Sequence, residues 1–482
     1  MERIPRDQVL LRLKTENVWW GPSRSINTSY AALRRRAYFT VFVPHVRDSA
    51  VRRAVLLMGP RRVGKTVMLH HTIQELLTSG VEPKRICYIS VDHPMYNGLS
   101  LQTLLDCYAE ASECPLPRSP GDPQTYVFFD EIQYLRNWEI HLKTLVDEYS
   151  QLKFVASGSA AAALRLRSTE SGAGRFTDFL LPPLTFHEYL DLLHALDHVE
   201  VTESDLGQVK VTAPDINALN EKFVHYLNFG GYPEVLFSQA IQGDPARFVK
   251  GDIIDKVLLR DLPSLYGIQD IQELNSLFTT LAFNTANEVS LEDLSQHSGV
   301  AKNTIKRYIE YLEAAFLLRT VHRIDRTGRR FQRANYFKVY LTNPSMRAAL
   351  FAPLSADADY MGQLAETGIF SQWFHAPHSL YYARWPQPAP GEVDIVSVDS
   401  KRQKPNWAVE VKWTDRFVER PRDLQSVLAF CHSNSLDHIK VTTKTLTDTR
   451  TVDGVQMHFE PASIYCFTVG YNIVRHASAL RG

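Results

Sequence analysis

The chain has few cysteines, no long apolar run and no net charge. Its five cysteines are scattered over 482 residues and never form a CxxC pair, which argues against a disulfide framework or a cysteine-bound zinc ion. No apolar run approaches the roughly 18 residues of a membrane-spanning helix. The first residues, MERIPRDQVLLRLK, lack the pattern of a signal peptide. We therefore expect a cytoplasmic protein that does not enter the membrane.

The balance of charge excludes a protein that is basic or acidic as a whole. Lys plus Arg and Asp plus Glu both number 53, so any contact with DNA must come from a local basic patch. Hydrophobic residues make up 44% and charged residues 22%, which is typical of folded protein. A chain of 482 residues is also too long for a single core, so several domains are expected.

Patterns of apolar and polar segments divide the chain into five predicted parts. Residues 1–50 form a lead-in to the first domain. In residues 51–192 short apolar strands alternate with helical stretches, which predicts a parallel sheet covered by helices on both faces. Residues 193–275 are predicted to be an insertion and a helical lid, and residues 276–330 a winged-helix-like unit. Strand-like and helical segments alternate again in residues 331–482.

The segment GPRRVGKT matches the phosphate-binding loop pattern GxxxxGK[ST]. It follows the apolar strand AVLLM and precedes an amphipathic helix, as the motif requires. Backbone N–H groups of such a loop bind phosphates, the lysine reaches the β- and γ-phosphates, and the final hydroxyl ligates Mg²⁺. Lys65 is therefore predicted to be catalytic and Thr66 to be a metal ligand. The predicted nucleotide-binding residues of the loop are Gly59, Pro60, Arg61, Arg62, Val63, Gly64, Lys65 and Thr66.

A second apolar strand, YVFFDE, ends in Asp130 and Glu131. Asp130 is predicted to lie beside Mg²⁺, and Glu131 to polarise the attacking water as a catalytic residue. Two acids after a strand can also mark a solvated strand end, but the upstream loop favours the functional interpretation. ATP and Mg²⁺ are the predicted cofactors, and ATP hydrolysis is the predicted reaction.

Taken together, these stretches resemble bacterial and archaeal AAA+ ATPases that carry a C-terminal restriction-endonuclease-like domain. The ATPase half of the resemblance rests on GPRRVGKT, FFDEIQYLRNWEIHLKTLVDE, FVASGSA, LLPPLTFHEYL and GGYPE, and the second half on LAETGIFSQW, GEVDIV and WAVEVKW. The resemblance implies an α/β fold: a P-loop AAA+ parallel-sheet domain with a helical lid, a winged-helix unit and a C-terminal restriction-endonuclease-like α/β domain in residues 331–482.

Further residues of the ATPase site follow from this resemblance. AAA+ ATPases keep a polar residue near the γ-phosphate at the end of the strand KFVASGS, and Ser159 is the first candidate, with Ser157 as the alternative. A serine here can equally cap the following helix. Arg175 or Arg260 is expected to neutralise charge in the transition state, from a neighbouring subunit if the protein is a homo-oligomer. Pro233 matches a lid element near the nucleotide, although a plain turn between helices explains it equally well.

Residues 288–319 resemble a helix-turn-helix, because the helical pattern breaks at a Ser-Gly pair and then resumes. The second helix would face DNA, as recognition helices do. A small packing module between domains would give the same pattern, and both interpretations remain open. The predicted DNA-binding residues are Lys302, Asn303, Lys306 and Arg307.

The last part of the chain contains the D…ExK pattern of PD-(D/E)xK nucleases. Asp394 lies in EVDIV, Glu410 and Lys412 lie in WAVEVKW, and Glu366 supplies the upstream acid. The resemblance implies that Glu366, Asp394 and Glu410 bind Mg²⁺ and that Lys412 positions water, so that Asp394, Glu410 and Lys412 are catalytic. An acid and a lysine two apart on a strand share one face and can also form a simple ion pair.

Two functions therefore remain open. In the first, an ATP-hydrolysing protein acts on DNA and cleaves it through the nuclease-like domain, in defence or mobile-element biology. In the second, the chain is an ATP-gated switch or scaffold whose nuclease-like domain binds DNA or a protein partner without cleavage. The intact D…ExK set favours the first and the balanced net charge favours the second.

Overall fold

The structure divides the chain into two compact units. The N-terminal unit comprises Met1–Leu181 with Ala477–Gly482, and the C-terminal unit comprises Pro182–His476. It is a computed structural model, and the residues that it describes are 5–119, 121–159, 174–204, 209–330, 335–375, 380–387 and 389–479.

The N-terminal unit is built on a parallel sheet in the order β2-β3-β4-β1-β5. The strands are β1 (Ala54–Met58), β2 (Ile86–Ser90), β3 (Thr125–Asp130), β4 (Leu152–Gly158) and β5 (Phe176–Leu180). The helices are α1 (Arg6–Glu16), α2 (Thr28–Ala31), α3 (Phe39–Arg47), α4 (Lys65–Thr78), α5 (Leu101–Ser112) and α6 (Trp138–Glu148). Strands β1, β3 and β4 are buried along their whole length, as a sheet covered on both faces requires.

Strand order places the functional sequences at one edge of this sheet. Strand β4 lies between β1, which leads into the phosphate-binding loop, and β3, which ends at Asp130. Since the strands are parallel, their carboxyl ends meet at the same edge. In the order of strands, the end of β4, with Ser157, therefore lies between the end of β1 and the end of β3.

The predicted lead-in is an integral part of the N-terminal unit. The indole nitrogens of Trp19 and Trp20, in a 3₁₀ turn at Val18–Trp20, both donate to the carbonyl of Ile86 on β2 at 2.9 Å. Trp19 is fully buried. These contacts fix the chain preceding α2 against the edge strand of the sheet.

The C-terminal unit begins with a helical region interrupted by a hairpin of β6 (Glu200–Glu203) and β7 (Val209–Thr212). This hairpin falls within the polar insertion predicted before the lid. Two π-helical segments, Ala246–Asp255 and Val257–Asp261, precede α11. The helices of this region are α7 (Phe186–Leu192), α8 (Ile216–Phe229), α9 (Pro233–Leu236), α10 (Gln239–Gly243), α11 (Leu262–Tyr266) and α12 (Ile271–Phe283).

A nine-stranded sheet forms the rest of the C-terminal unit, in the order β15-β16-β14-β13-β12-β11-β9-β10-β8. The strands are β8 (Glu288–Ser290), β9 (Leu318–Ile324), β10 (Tyr336–Leu341), β11 (Leu380–Trp385), β12 (Gly391–Val398), β13 (Pro405–Glu410), β14 (His438–Thr443), β15 (Asp448–Val452) and β16 (Val455–Pro461). The helices are α13 (Leu291–Ser298), α14 (Lys302–Ala314), α15 (Ser345–Leu350), α16 (Met361–Ser371), α17 (Arg416–Glu419), α18 (Gln425–Asn434) and α19 (Ala462–Ala479).

This sheet continues across the boundary predicted at residues 330 and 331. Strands β9 and β10 pair antiparallel with each other, and β9 also pairs with β11, parallel. The segment predicted as winged-helix-like and the segment predicted as nuclease-like therefore share one sheet. Strand pairing between distant parts of the chain leaves no signature in local composition, so the sequence pattern could not show it.

Two expectations about the whole chain can be compared with the structure. All five cysteines are free and buried. No helix in the described ranges is long and apolar enough to cross a bilayer.

Candidate functional site

The phosphate-binding loop joins β1 to α4 and needs its two glycines for different reasons. A Cβ atom on Gly59 would lie 2.3 Å from the carbonyl oxygen of Leu181, so a side chain cannot fit there. Gly64, the residue before α4, has a φ of 93°, in the left-handed region that favours glycine. The loop thus delivers the N-terminus of α4, with its free N–H groups, to the edge of the sheet.

Lys65 is buried and its ammonium contacts the loop itself. Its Nζ donates to the carbonyl oxygens of Gly59 at 3.1 Å and Pro60 at 2.8 Å. Burial lowers the pKa of Lys65, although Glu131 and Asp130 act in the opposite direction. The lysine is therefore held inside the loop, where a phosphate group would meet it.

Asp130 is the centre of a hydrogen-bonded group of hydroxyls. Its Oδ2 accepts from the hydroxyls of Thr66 and Tyr88, both at 2.7 Å, and its Oδ1 accepts from Ser157. Asp130 is almost fully buried, at 2% exposure. The predicted metal ligands Thr66 and Asp130 are thus in direct contact, and Ser157, the alternative to Ser159, joins them.

Glu131 follows in a constrained backbone conformation. Its φ of 55° is uncommon for a residue with a side chain. Its N–H donates to the Ser157 hydroxyl at 3.1 Å, and its carboxylate accepts from the side chain of Gln133. Gln133 also accepts from the N–H of Ser159 at 3.3 Å. The site therefore orients Glu131 by bonds to both its backbone and its side chain.

Ser159, the first candidate for the polar residue near the γ-phosphate, is fully buried, and its hydroxyl has no partner among the described residues. Such a buried hydroxyl is available to a ligand. The helix that Ser159 was alternatively predicted to cap lies at residues 160–165, outside the described residues. The two serines therefore differ among the described residues: the Ser157 hydroxyl donates to Asp130, whereas the Ser159 hydroxyl has no partner there.

Two residues of this site were missed by sequence reasoning. Arg36 is buried, and its Nη1 donates to the carbonyl of Val63 in the loop at 2.9 Å. Tyr88 reaches Asp130 from the adjacent strand β2. The signal for Tyr88 was a phenol in the middle of a buried strand, where a hydroxyl needs a partner. Arg36 belongs to the basic run Arg34–Arg36, for which the sequence favours a solvated helix face over contact with phosphates; the structure instead buries Arg36 against the loop.

The remaining predicted ATPase residues are not brought into this hydrogen-bonded group. Arg175 forms an ion pair with Asp147, with both side chains 43% exposed. Arg260 is exposed in the second π-helical segment. Pro233 is the first residue of α9 in the C-terminal unit. The roles of these three residues stay predictions.

In the C-terminal unit the structure brings the predicted nuclease residues together. Glu366 on α16, Asp394 on β12 and Glu410 at the end of β13 are all buried. Lys412 donates to Glu410 Oε1 at 2.6 Å and lies 3.6 Å from Asp394 Oδ2. Together with Glu392 on β12, the three buried acids form what we call the carboxylate cluster. Strand β13 ends at Glu410, two residues before Lys412, where the strand was predicted to end.

A residue that was not predicted, Lys338 on β10, lies at the centre of this cluster. Its Nζ is 2.9 Å from Glu366 Oε1, 2.8 Å from Glu392 Oε1 and 3.3 Å from Asp394 Oδ1. Its side chain is only 2% exposed. The hydroxyl of Tyr340, two residues along β10, also donates to Glu366, at 2.6 Å. Strand β10 thus supplies both a cation and a donor to the acids.

Burial acts to raise the pKa of all three buried acids, but neighbouring charges make the net shifts differ. Burial and the charge of Asp394 raise the pKa of Glu410 to about 8 and that of Glu366 to about 7. Burial also acts to raise the pKa of Asp394, but Lys412 and Lys338 hold it below its ordinary value. No set of three or more His, Cys, Asp or Glu side chains in the described ranges is arranged to hold a metal ion.

The predicted DNA-binding residues lie at the start of α14. This helix follows α13 after Gly299, which adopts a left-handed φ of 72° and so allows the tight turn. Lys302 pairs with Glu292 on α13. The side chains of Lys302, Asn303, Lys306 and Arg307 are all exposed.

Two segments of the chain match protein-family models. Residues 51–190 match the family model described as an AAA domain. We call residues 51–190 the AAA domain, after the family model that they match. Residues 220–358 match a second family model, described as a domain of unknown function (DUF8612). That match includes Lys338 but ends before Glu366, so the carboxylate cluster draws its residues from inside and outside it.

Relatives extend over most of the chain. An uncharacterized protein of Methanocaldococcus jannaschii is 25% identical over 365 residues, 73% of this chain and 74% of that protein. An uncharacterized protein of Haemophilus influenzae is 22% identical over 410 residues, 83% of this chain and 92% of that protein.

Two solved structures show weaker similarity. The Orc1 protein of Aeropyrum pernix in complex with DNA is 12% identical, with a TM-score of 0.30, and the match covers 66% of this chain and 96% of that one. Cdc6p from Pyrobaculum aerophilum is 14% identical, with a TM-score of 0.24, over 73% of this chain and 94% of that one. Scores this low assign no fold to the chain.

Proposed function

We propose that the AAA domain binds Mg·ATP at the phosphate-binding loop and hydrolyses it. The observation that carries this proposal is the 2.7 Å contact between the Thr66 hydroxyl and the Asp130 carboxylate, directly after Lys65 in the chain. These oxygen donors fit Mg²⁺, which prefers oxygen ligands. The start of α4, which no side chain caps in the described part of the chain, and the Ser159 hydroxyl, which has no partner there, suit an anionic ligand.

Each residue would then have one task. Lys65 would exchange its bonds to the Gly59 and Pro60 carbonyls for phosphate oxygens. Thr66 and Asp130 would hold Mg²⁺, which neutralises phosphate charge. Glu131 would take the proton of the attacking water, and Gln133 keeps its carboxylate in place.

Nucleotide binding by two variants tests this assignment. Titration of the full chain with a fluorescent ATP analogue and Mg²⁺ should show loss of binding in Lys65→Ala and wild-type affinity in Glu131→Gln. Glu148→Gln, an exposed carboxylate on α6, is the matched control. Wild-type affinity in Lys65→Ala would contradict the proposal.

Contact with nucleic acid is a second proposed function, supported by the exposed basic residues at the start of α14. Lys306→Ala/Arg307→Ala should weaken binding of a labelled DNA duplex. The slope of log K against log salt concentration should also become less steep by about two, because two fewer phosphates are neutralised. Lys401→Ala/Arg402→Ala, an exposed pair after β12, is the matched control. Equal anisotropy titrations for the two double variants would exclude α14 as the DNA-binding element.

For the nuclease-like segment, binding of DNA or a protein without cleavage is the better supported of the two expected functions. The reason is Lys338, whose ammonium already contacts three of the four acids of the carboxylate cluster. We therefore propose that the chain is an ATP-gated switch or scaffold. A role in defence or mobile elements, and assembly into a homo-oligomer, stay predictions.

A further inference from the structure

The carboxylate cluster contains a cation from its own chain. Lys338 lies 28 residues before Glu366 and 56 residues before Asp394 in the sequence, yet it bonds to both. Almost none of its side chain is exposed. A buried ammonium is retained only where carboxylates surround it, and here three do so within 3.3 Å.

Glu366 and Asp394 do not fit a bound Mg²⁺ in this arrangement, and the ligand atom that Glu410 could offer is its buried Oε2, which has no partner among the described residues. The Glu366 oxygen that faces the cluster, Oε1, is used by Lys338 and Tyr340. Asp394 gives Oδ1 to Lys338 and Oδ2 to the N–H of Val411 at 2.9 Å. A metal ion that bound these atoms would lie within a few ångströms of an ammonium that cannot leave without breaking buried ion pairs. Oxygens committed to N–H and O–H donors are poor ligands for Mg²⁺, which requires close octahedral contacts.

We infer that Lys338 is the resident cation of the carboxylate cluster and that it excludes a divalent metal ion from Glu366, Asp394 and Glu410. The excluded ligand is a hard, oxygen-preferring cation such as Mg²⁺ or Mn²⁺. The ammonium balances the charge of the acids that the D…ExK pattern assigns to metal.

Lys338 lies on a strand that does not belong to the D…ExK pattern. Strand β10 pairs with β8 and β9, on either side of it in the sheet, whereas Asp394 lies on β12. Lys412, the lysine of the D…ExK pattern, donates to Glu410 and lies 3.6 Å from the other oxygen of Asp394, Oδ2. The cluster therefore has two lysines, and only one of them belongs to the pattern.

Binding of Mn²⁺, followed by the electron paramagnetic resonance signal of the free ion, tests the inference without requiring any activity. Lys338→Met removes the charge and keeps a side chain of similar length. It should bind one more Mn²⁺ per chain than the wild type, and Lys338→Met/Asp394→Asn should lose that ion. Lys440→Met is the matched control, because Lys440 pairs with Glu460 on the same sheet, outside the cluster. It should bind as the wild type does, and any Mn²⁺ at the AAA domain is common to all variants.

Two results would overturn the inference. One is a wild-type chain that binds Mn²⁺ in a manner lost in Asp394→Asn, and the other is a folded Lys338→Met that gains no ion. If Lys338→Met does not fold, the comparison of wild type with Asp394→Asn decides, because the inference requires equal Mn²⁺ binding by both. Since ATP hydrolysis is measured separately, failure here leaves the proposed ATPase function unaffected.

Discussion

The histidine behind the phosphate-binding loop gives a prediction whose size follows from its surroundings. His70 lies on α4 with 5% exposure and stacks on Tyr30, with ring centroids 3.9 Å apart. Its Nδ1 has no hydrogen-bond partner in the described part of the chain. Burial lowers the pKa of His70 to about 4 from an ordinary value of 6.5. His70→Phe would keep an aromatic ring in the stack and remove the titrating group.

The sign follows from proton binding in the two states. Between pH 6.5 and 4 the unfolded chain protonates His70 and the folded chain does not, so acid favours unfolding. Each pKa unit corresponds to about 1.4 kcal/mol, so the shift costs the wild type about 3 kcal/mol at pH 4. This stability is fully present above pH 6.5 and is lost as the pH falls towards 4.

The assay compares urea unfolding of wild type and His70→Phe across this pH range, so that groups common to both cancel. The free energy of unfolding of the wild type should fall by about 3 kcal/mol relative to the variant between pH 7 and pH 4. A difference that stays constant within about 1 kcal/mol would show that His70 is not buried in its neutral form. The packing of His70 between Tyr30 and Tyr88, whose ring centroid lies 4.7 Å from that of His70, would then be wrong.

Three further predictions concern single contacts. Arg36→Met should destabilise the chain by about 2 kcal/mol and weaken ATP binding, because the carbonyl of Val63 loses its buried donor; urea unfolding and nucleotide titration measure both effects, and unchanged affinity would exclude a role in shaping the loop. Gly231→Ala should cost about 1–3 kcal/mol, since its Cβ would lie 1.4 Å from Asn343 Nδ2; thermal unfolding at the wild-type midpoint would show that the approach is not tight. If an arginine such as Arg175 acts in trans, ATPase activity per chain should rise with protein concentration, and a constant rate from a strict monomer rules this out.

The AAA domain could be predicted from the sequence because its signals are local. The loop pattern, the apolar strands on either side of it and the acids at the end of β3 lie in short segments whose chemistry requires those residue types. The contact between Thr66 and Asp130, 64 residues apart, then follows from the parallel strand order. Placing Ser157, rather than Ser159, on Asp130 needed the structure, because the predicted strand KFVASGS ends in both serines, whereas β4 ends at Gly158.

The carboxylate cluster shows what sequence patterns leave out. Asp394, Glu410 and Lys412 of the D…ExK pattern lie together in the structure, while their roles in a nuclease site stay predictions. The pattern could not reveal Lys338, because Lys338 lies on β10, which is distant from β12 along the chain. In the sheet, β11 and β9 lie between these two strands. Buried ion pairs between distant strands are set by tertiary packing, which local periodicity does not encode.

Release of inorganic phosphate from ATP by the purified full chain tests the central claim most directly. We predict continuous, Mg²⁺-dependent release by the wild type and a rate at least about 100-fold lower for Glu131→Gln, because the variant lacks the group that accepts the proton of the attacking water. Chelation of Mg²⁺ should stop the reaction. No release by the wild type, or equal rates for wild type and Glu131→Gln, would contradict the assignment of this site as an ATPase.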